Sequence, residues 1–230
     1  MTHPPRALTF HCVILDPVQT PLWLDLAAVT TSALGGSLVA VRAKFDISGV
    51  VALGILTGLG GGLLRDVLLN QLPVALKNPW YIVAAVVASA LVAVLAHQVT
   101  RLAWLLLIFD AAALGLYGVT GANKALVNGI SPVPAILVGL IAGLGGGVIC
   151  DLMTAKPPAI FQRGYLYATA ALIGLIFYVA AIRLGAPAAE TAIVATIIIV
   201  SLRIIARLRD WKVPQPVDLP SELVKRRDSD

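Results

Sequence analysis

Charge is scarce in this chain. Of its 230 residues only 13% are Asp, Glu, Lys or Arg, against roughly 25% in a soluble domain. That scarcity excludes an ordinary water-soluble globule. Cysteine is scarcer still. Cys12 and Cys150 are too few for a disulfide framework, and Cys150 falls in an apolar stretch, so both are expected to be free thiols. His3, His11 and His97 lie far apart, without the spacing of a metal site. There is no Walker loop, and no βαβ unit surrounds the glycines at 58–62 to make them a dinucleotide fingerprint. No nucleophile–base pair stands out. Neither an enzyme nor a bound cofactor is expected. The first sixteen residues lack a basic start, a long apolar core and a small-residue cleavage site, so no signal peptide is read there.

Apolar residues are what the chain has. They make up 59% of it, with mean hydropathy +0.91, and they define an all-α integral membrane protein. A spanning helix needs about 20 mainly apolar residues. Seven such segments are predicted, at 17–41, 47–69, 79–96, 102–121, 132–153, 164–182 and 188–205. Residues 1–16 form an N-terminal extension, 17–209 the membrane domain, and 210–230 a polar, proline-containing tail expected to be disordered. The net charge of +5 does not point to nucleic acid, because most basic residues flank apolar segments or lie in the tail. The face with the N-terminus carries Arg6, Lys77, Lys124 and Arg183. The other carries twelve Lys or Arg, among them Arg42, Lys44, Arg101 and Arg203. The positive-inside rule then predicts the N-terminus outside and the C-terminus in the cytoplasm, in the inner (plasma) membrane of a bacterium or archaeon. The tail's basic residues suit anionic lipid as well as a topology signal.

The chain also repeats itself. Gly58-Leu59-Gly60-Gly61-Gly62-Leu63-Leu64-Arg65-Asp66 returns as Gly143-Leu144-Gly145-Gly146-Gly147-Val148-Ile149-Cys150-Asp151, an offset of 85 residues. The same offset takes Asp25 to Asp110, Gly36 to Gly121, Gly54 to Gly139 and Pro73 to Pro158. Repeat one covers about 17–98, repeat two about 102–183, and a seventh helix at about 188–207 has no mate. Three helices per copy is an odd number, so the copies are expected to enter from opposite faces as an inverted-topology repeat.

Two readings of the glycines stand. Gly54, Gly58 and Gly62, like Gly139, Gly143 and Gly147, recur every four residues, a small-xxx-small packing pattern. Gly60, Gly61, Gly145 and Gly146 fall outside it. Consecutive glycines cost about 1 kcal/mol each against alanine, so the triplets are expected to break their helices and free backbone carbonyls beside a watery path. The charges divide in the same way. Arg65, Asp66 and Asp151 follow the triplets, and ionisable groups at this depth are functional candidates; a salt bridge tying the repeats together is the structural alternative. Adjacent helical residues diverge by about 100°, so Arg65 and Asp66 need not pair, and Arg65 is free to reach Asp110 or Asp151. Asp25 and Asp110 are either polar glue or part of the path. The four aspartates against Arg65 leave the helical region at −3, which favours cations. Lys124, taken to end helix four, either caps carbonyls or overhangs a pore mouth. Trp23, Trp80, Trp104, Trp211 and Tyr81 are expected in the interfacial belt.

Several of these residues together resemble the prokaryotic TRIC (trimeric intracellular cation) channels. The resemblance spans about 24–211 and rests on Leu24-Asp25, Arg42 with Lys44-Phe45-Asp46, Gly-Gly-Gly-Leu-Leu-Arg-Asp at 60–66, and Pro79-Trp80-Tyr81. The second copy adds Asp110, Asn123-Lys124-Ala125-Leu126, Gly-Gly-Gly at 145–147 with Asp151, and Tyr167-Ala168-Thr169-Ala170. It implies two inverted three-helix repeats plus a seventh helix, and a homotrimer with one pore inside each subunit. That pore would pass the kinked second and fifth helices at Gly60, Gly61, Gly62 and Gly145, Gly146, Gly147, conduct K⁺ and Na⁺, and have its field shaped by Arg65, Asp66 and Asp151. In one respect the chain departs from the pattern. The second copy commonly carries an arginine where this chain has Cys150, so the pore is expected to be more negative. Some bacterial members of the broader family are proposed to move small amino acids such as glycine. A secondary transporter of glycine or a similar zwitterion therefore stands beside the channel, and a non-conducting scaffold stands behind both.

Overall fold

The computed structural model describes residues 21–96, 103–161, 167–209 and 211. These are helical, with no strand among them. The elements are α1 (Leu22–Arg42), α2 (Ile47–Leu68), the short α3 (Val74–Lys77), α4 (Trp80–Val94), α5 (Ala103–Val127), α6 (Pro132–Met153), a 3₁₀ turn (Ala159–Phe161), α7 (Ala168–Arg183) and α8 (Ala188–Leu208). Five helices, α1, α2, α5, α6 and α8, are long and apolar enough to cross a membrane. The remaining two apolar helices, α4 and α7, have 15 and 16 residues, or about 22–24 Å at 1.5 Å per residue. The N-terminal extension, and the tail apart from Trp211, lie outside the described residues.

Local chemistry sets several ends. The Asp46 carboxylate accepts from Gly49 N at 2.6 Å and so caps α2, satisfying one of the donors that a helix start leaves open. Pro132 opens α6, where its fixed φ and missing N–H cost nothing. Helix α5 runs six residues beyond the predicted end. Its last turns are held, because Ala122 and Ala125 are fully buried and Tyr178 donates to Asn123 Oδ1 at 2.7 Å. Lys124 therefore lies inside the last turn rather than at its end.

The duplication is visible atom by atom. Helices α2 and α6 start and stop 85 residues apart, and α3 and the 3₁₀ turn begin 85 apart. Asn70 and Ala155, also 85 apart, turn the chain with φ 52° and 54°. Gln71 N donates to Asp66 O, and Lys156 N to Asp151 O, both at 2.9 Å.

Packing is built on small residues. Ala28, Ala33, Ala85, Ala111 and Ala142 are fully buried, while Val94, Leu152, Phe161 and Ile197 are exposed. An apolar exterior over a small-residue interior is what a bilayer favours, since lipid offers no hydrophobic drive and close contact must hold the helices. Helix α2 packs on α1, α4 and α6, and α5 bridges α1, α6 and α8.

The expectation of broken helices is corrected. Helices α2 and α6 continue as α-helix through residues 60–62 and 145–147. The glycines instead let the two helices cross. A Cβ on Gly60 would lie 2.5 Å from Ile149 Cδ1, and one on Gly145 2.5 Å from Leu64 Cδ1; these are repeat-equivalent pairs. A Cβ on Gly61 would strike Ala142 O, and one on Gly146 would come within 2.7 Å of Thr57 O, again equivalent positions. The helical penalty of glycine is thus offset by the closeness of the crossing. Carbonyls in this region are met by hydroxyls: Ser32 donates to Thr57 O at 3.0 Å and Tyr117 donates to Gly58 O.

Candidate functional site

Five element ends converge at one face. Asp25 lies in the first turn of α1, Arg65 in the last turn of α2, Tyr81 at the start of α4 and Lys124 in the last turn of α5; α3 closes the group. Arg65 Nη1 is 3.0 Å from Asp25 Oδ1, and Arg65 Nε donates to Asp66 Oδ1 at 2.8 Å. Arg65 therefore pairs with its own neighbour and with α1, not with Asp110 or Asp151. The long guanidinium stem folds back along α2, which the 100° divergence of adjacent Cβ atoms does not prevent. Lys124 Nζ lies 2.7 Å from Asp66 Oδ1, Val74 N donates to Asp66 Oδ2 at 2.8 Å, and the Tyr81 hydroxyl donates to Asp25 Oδ2 at 3.2 Å. Arg65 and Asp66 are 2% and 1% exposed, so a buried charge network is compensated from several helices at once.

Above this network opens a cavity of ≈ 490 Å³, lined by Asp25, Gln71, Lys77, Tyr81, Lys124 and Asn128 among others. Beside it, between Gly62, Arg65, Asp66, Tyr81 and Tyr117, the space shrinks to ≈ 10 Å³, about one water. The two cavities share Asp25, Val74 and Tyr81, so an open vestibule adjoins the charged cluster. Lys124 overhangs it and bonds a carboxylate.

The second copy builds a matching cluster at the opposite ends of the helices. Ala159 N donates to Asp151 Oδ2 at 2.8 Å, the repeat of Val74 on Asp66. The Tyr167 hydroxyl donates to Asp110 Oδ1 at 3.1 Å, and Arg203 of α8 forms an ion pair with Asp110. Cys150 is a buried free thiol. The expected surplus of −3 is corrected: Lys124 and Arg203 join Arg65 against the four aspartates, leaving −1.

Gly60, Gly61, Gly145 and Gly146 lie at the α2–α6 crossing, whereas Gly62 and Gly147 abut the two clusters: a Cβ there would be 4.0 Å from Arg65 Nη2 and 3.0 Å from the Tyr167 hydroxyl, respectively. Sequence reasoning missed Arg203, counted only as a topology charge, although an arginine within Ile199-Val200-Ser201-Leu202-Arg203-Ile204 is an ionisable group inside an apolar run. It also assigned Tyr81 to the interfacial belt. Trp23, Trp80 and Trp104 are more than half exposed, as belt residues are, but Tyr81 is buried.

Fold and site together define a polytopic α-helical membrane protein built from a duplicated unit, with a buried charge cluster at one end of its central crossing and a partly exposed one at the other. The family model described as Glycine transporter matches residues 22–97 and 107–183. The UPF0126 inner membrane protein YadS of Escherichia coli K12 is 36% identical over 84% of this chain and 94% of its own length. A TRIC trimeric intracellular cation channel orthologue from Rhodobacter sphaeroides superimposes with TM-score 0.77 at 34% identity, covering 81% of this chain and 96% of that one. A second TRIC cation channel structure gives TM-score 0.74 at 33% identity over 84% and 96%. The chain belongs to the TRIC family.

Proposed function

We propose that the chain is a passive channel for monovalent cations, K⁺ and Na⁺, with no cofactor. In this reading seven helices cross the inner membrane of a bacterium or archaeon, with the N-terminus outside and the C-terminus in the cytoplasm. The halves around α1–α4 and α5–α7 form two inverted repeats, and α8 is the seventh span. The protein assembles as a homotrimer with one pore inside each subunit. That pore passes the α2–α6 crossing, where Gly60, Gly61, Gly62, Gly145, Gly146 and Gly147 lie, with Arg65, Asp66 and Asp151 shaping its field and Asp25, Asp110 and Lys124 in support. Anionic lipid is a fitting partner for the more basic face.

The observation that carries the reading is the open cavity of ≈ 490 Å³, lined by Asp25, Lys77 and Lys124 among others, which shares Asp25, Val74 and Tyr81 with the small cavity beside Asp66. Asp25 and Asp66 are paired there with Arg65 and Lys124; in this reading, separation of Lys124 leaves acidic groups that attract cations and repel anions. Membership of a family whose solved structures include trimeric cation channels supports it. In this reading the Lys124–Asp66 ion pair closes the path and its separation opens it.

The test is a planar-bilayer recording of purified protein under a KCl gradient, with Asp151→Asn for comparison. Discrete openings that reverse near the K⁺ potential and change with the substitution are the expected result. A silent bilayer from well-folded protein, with saturable glycine counterflow in liposomes, would replace the channel with the transporter that the family description names.

A further inference from the structure

We propose that Arg203 of α8 supplies the counter-charge that the second repeat lacks at Cys150, and that with Asp110 and Tyr167 it forms a second ionic barrier across the cation path. The barrier part rests on the channel reading above; the pairing part does not.

The offset of 85 places Cys150 where the first copy has Arg65. A buried thiol offers Asp110 no positive charge. Asp110 nevertheless occupies the position of Asp25, with its side chain 32% exposed against 12%, and it too takes an arginine partner. That arginine comes from the one long helix outside the duplication. Arg203 Nη2 pairs with Asp110 Oδ2, and its guanidinium carbon stands 3.7 Å from the centroid of the Tyr167 ring, a cation–π arrangement. Tyr167 in turn donates to the other oxygen of Asp110. In the first copy Arg65 holds one oxygen of Asp25 and Tyr81 donates to the other. The tyrosines lie 56 and 57 residues beyond their aspartates. Both clusters abut the last glycine of a triplet, Gly62 and Gly147. Two copies of one sequence have thus reached the same Asp–Arg–Tyr cluster with arginines from different helices.

The origin of the arginine makes the clusters unequal. Arg65 belongs to α2, and its Nε is engaged by Asp66 on the same helix. The Arg203 side chain is more exposed, 11% against 2%, and its buried Nε has no hydrogen-bond partner among the described residues. The second barrier is therefore held by fewer bonds and depends on where α8 sits against α5. Displacing α8 releases it without disturbing the α2–α6 crossing.

Wild type, R203M, R203K and C150R/R203M would be compared by K⁺ flux in liposomes, reversal potential in bilayers and thermal melting. R203M is expected to raise K⁺ flux severalfold and to shift the reversal potential towards K⁺. R203K should fall between, since lysine keeps the charge but not the planar stacking on Tyr167. C150R should return R203M towards wild-type flux, its arginine reaching Asp110 as Arg65 reaches Asp25. Unchanged flux and reversal potential in a well-folded R203M would overturn the barrier, and a failed rescue by a folded C150R/R203M would overturn the surrogate role. A melting cycle on D110N, R203M and the double variant tests the pairing without any transport assay. Coupled losses support it and additive losses refute it. If wild type conducts nothing, the channel reading and the barrier fall together, and the pairing stands or falls on that cycle.

Discussion

The ammonium of Lys124 and the carboxylate of Asp66 meet at 2.7 Å, joining the last turn of α5 to the end of α2 at the base of the vestibule. Lys124 remains 21% exposed at its side chain while Asp66 is 1% exposed. The two partners therefore carry different burdens. Asp66 answers Arg65, Lys124 and Val74 N, and removing its charge leaves Arg65 under-compensated in the interior. Breaking a buried pair from one side costs about 3–5 kcal/mol. Asp66→Asn is expected to lower the melting temperature sharply. Lys124→Met removes the more exposed partner and a positive charge from the vestibule, so it should be milder on stability and raise cation conductance. Equal melting losses in the two variants would contradict this division of roles.

The glycines at the crossing give a graded series. A Cβ on Gly146 would sit 2.7 Å from the backbone oxygen of Thr57, which has no way to step aside, whereas one on Gly62 would meet Tyr117 Cε1 at an ordinary 3.5 Å. Gly146→Ala is expected to destabilise the protein or force α2 and α6 apart. Gly62→Ala should be tolerated and stabilise the helix by up to about 1 kcal/mol, the alanine–glycine difference in propensity. Gly145→Ala lies between, since it meets the flexible end of Leu64. Thermal melts of the three variants should rank Gly62→Ala highest and Gly146→Ala lowest. Had the triplets served by unwinding, Gly62→Ala would be as damaging as Gly146→Ala.

What the sequence disclosed and what it hid follow from the range of each interaction. The bounds of α6, 132–153, match expectation because Pro132 is a local start signal and the offset from α2 fixes its length. The end of α5 was misjudged because burial of Ala125 and the bond from Tyr178, both tertiary, extend it. The glycine triplets were visible as special, but their propensity cost alone points to unwinding; only the opposing Thr57, Leu64, Ala142 and Ile149 show why they stay helical. Asp25, Arg65, Asp66 and Lys124 were all legible as candidates, yet their pairing was not, since rotation of one helix against another leaves no mark in a single sequence. Arg203 was hidden for the same reason, compounded by its position near a helix end where a topology charge is the simpler account.

The last prediction concerns pH at the α1–α2 turn, outside the buried network. Asp46 caps α2 through Gly49 N and also accepts from the Ser48 hydroxyl at 2.9 Å. The Gly49 N–H, and then Ser48, hold its carboxyl below the ordinary value of 3.8, because both donors favour the charged form. A depressed native value means that the unfolded chain takes up the proton first as pH falls. The capping contribution is therefore complete above the ordinary value and is lost as pH drops below it through the native one. Asp46→Ala should lower the melting temperature at neutral pH, and the gap between variant and wild type should narrow as the solution is acidified below 3.8. Asp46→Asn, which still accepts from Gly49 N but does not titrate, should show the smaller neutral loss, and that gap too should close as the wild-type carboxylate is protonated. Parallel melting curves for wild type and Asp46→Asn across that range would show that the carboxylate's charge adds nothing to the cap.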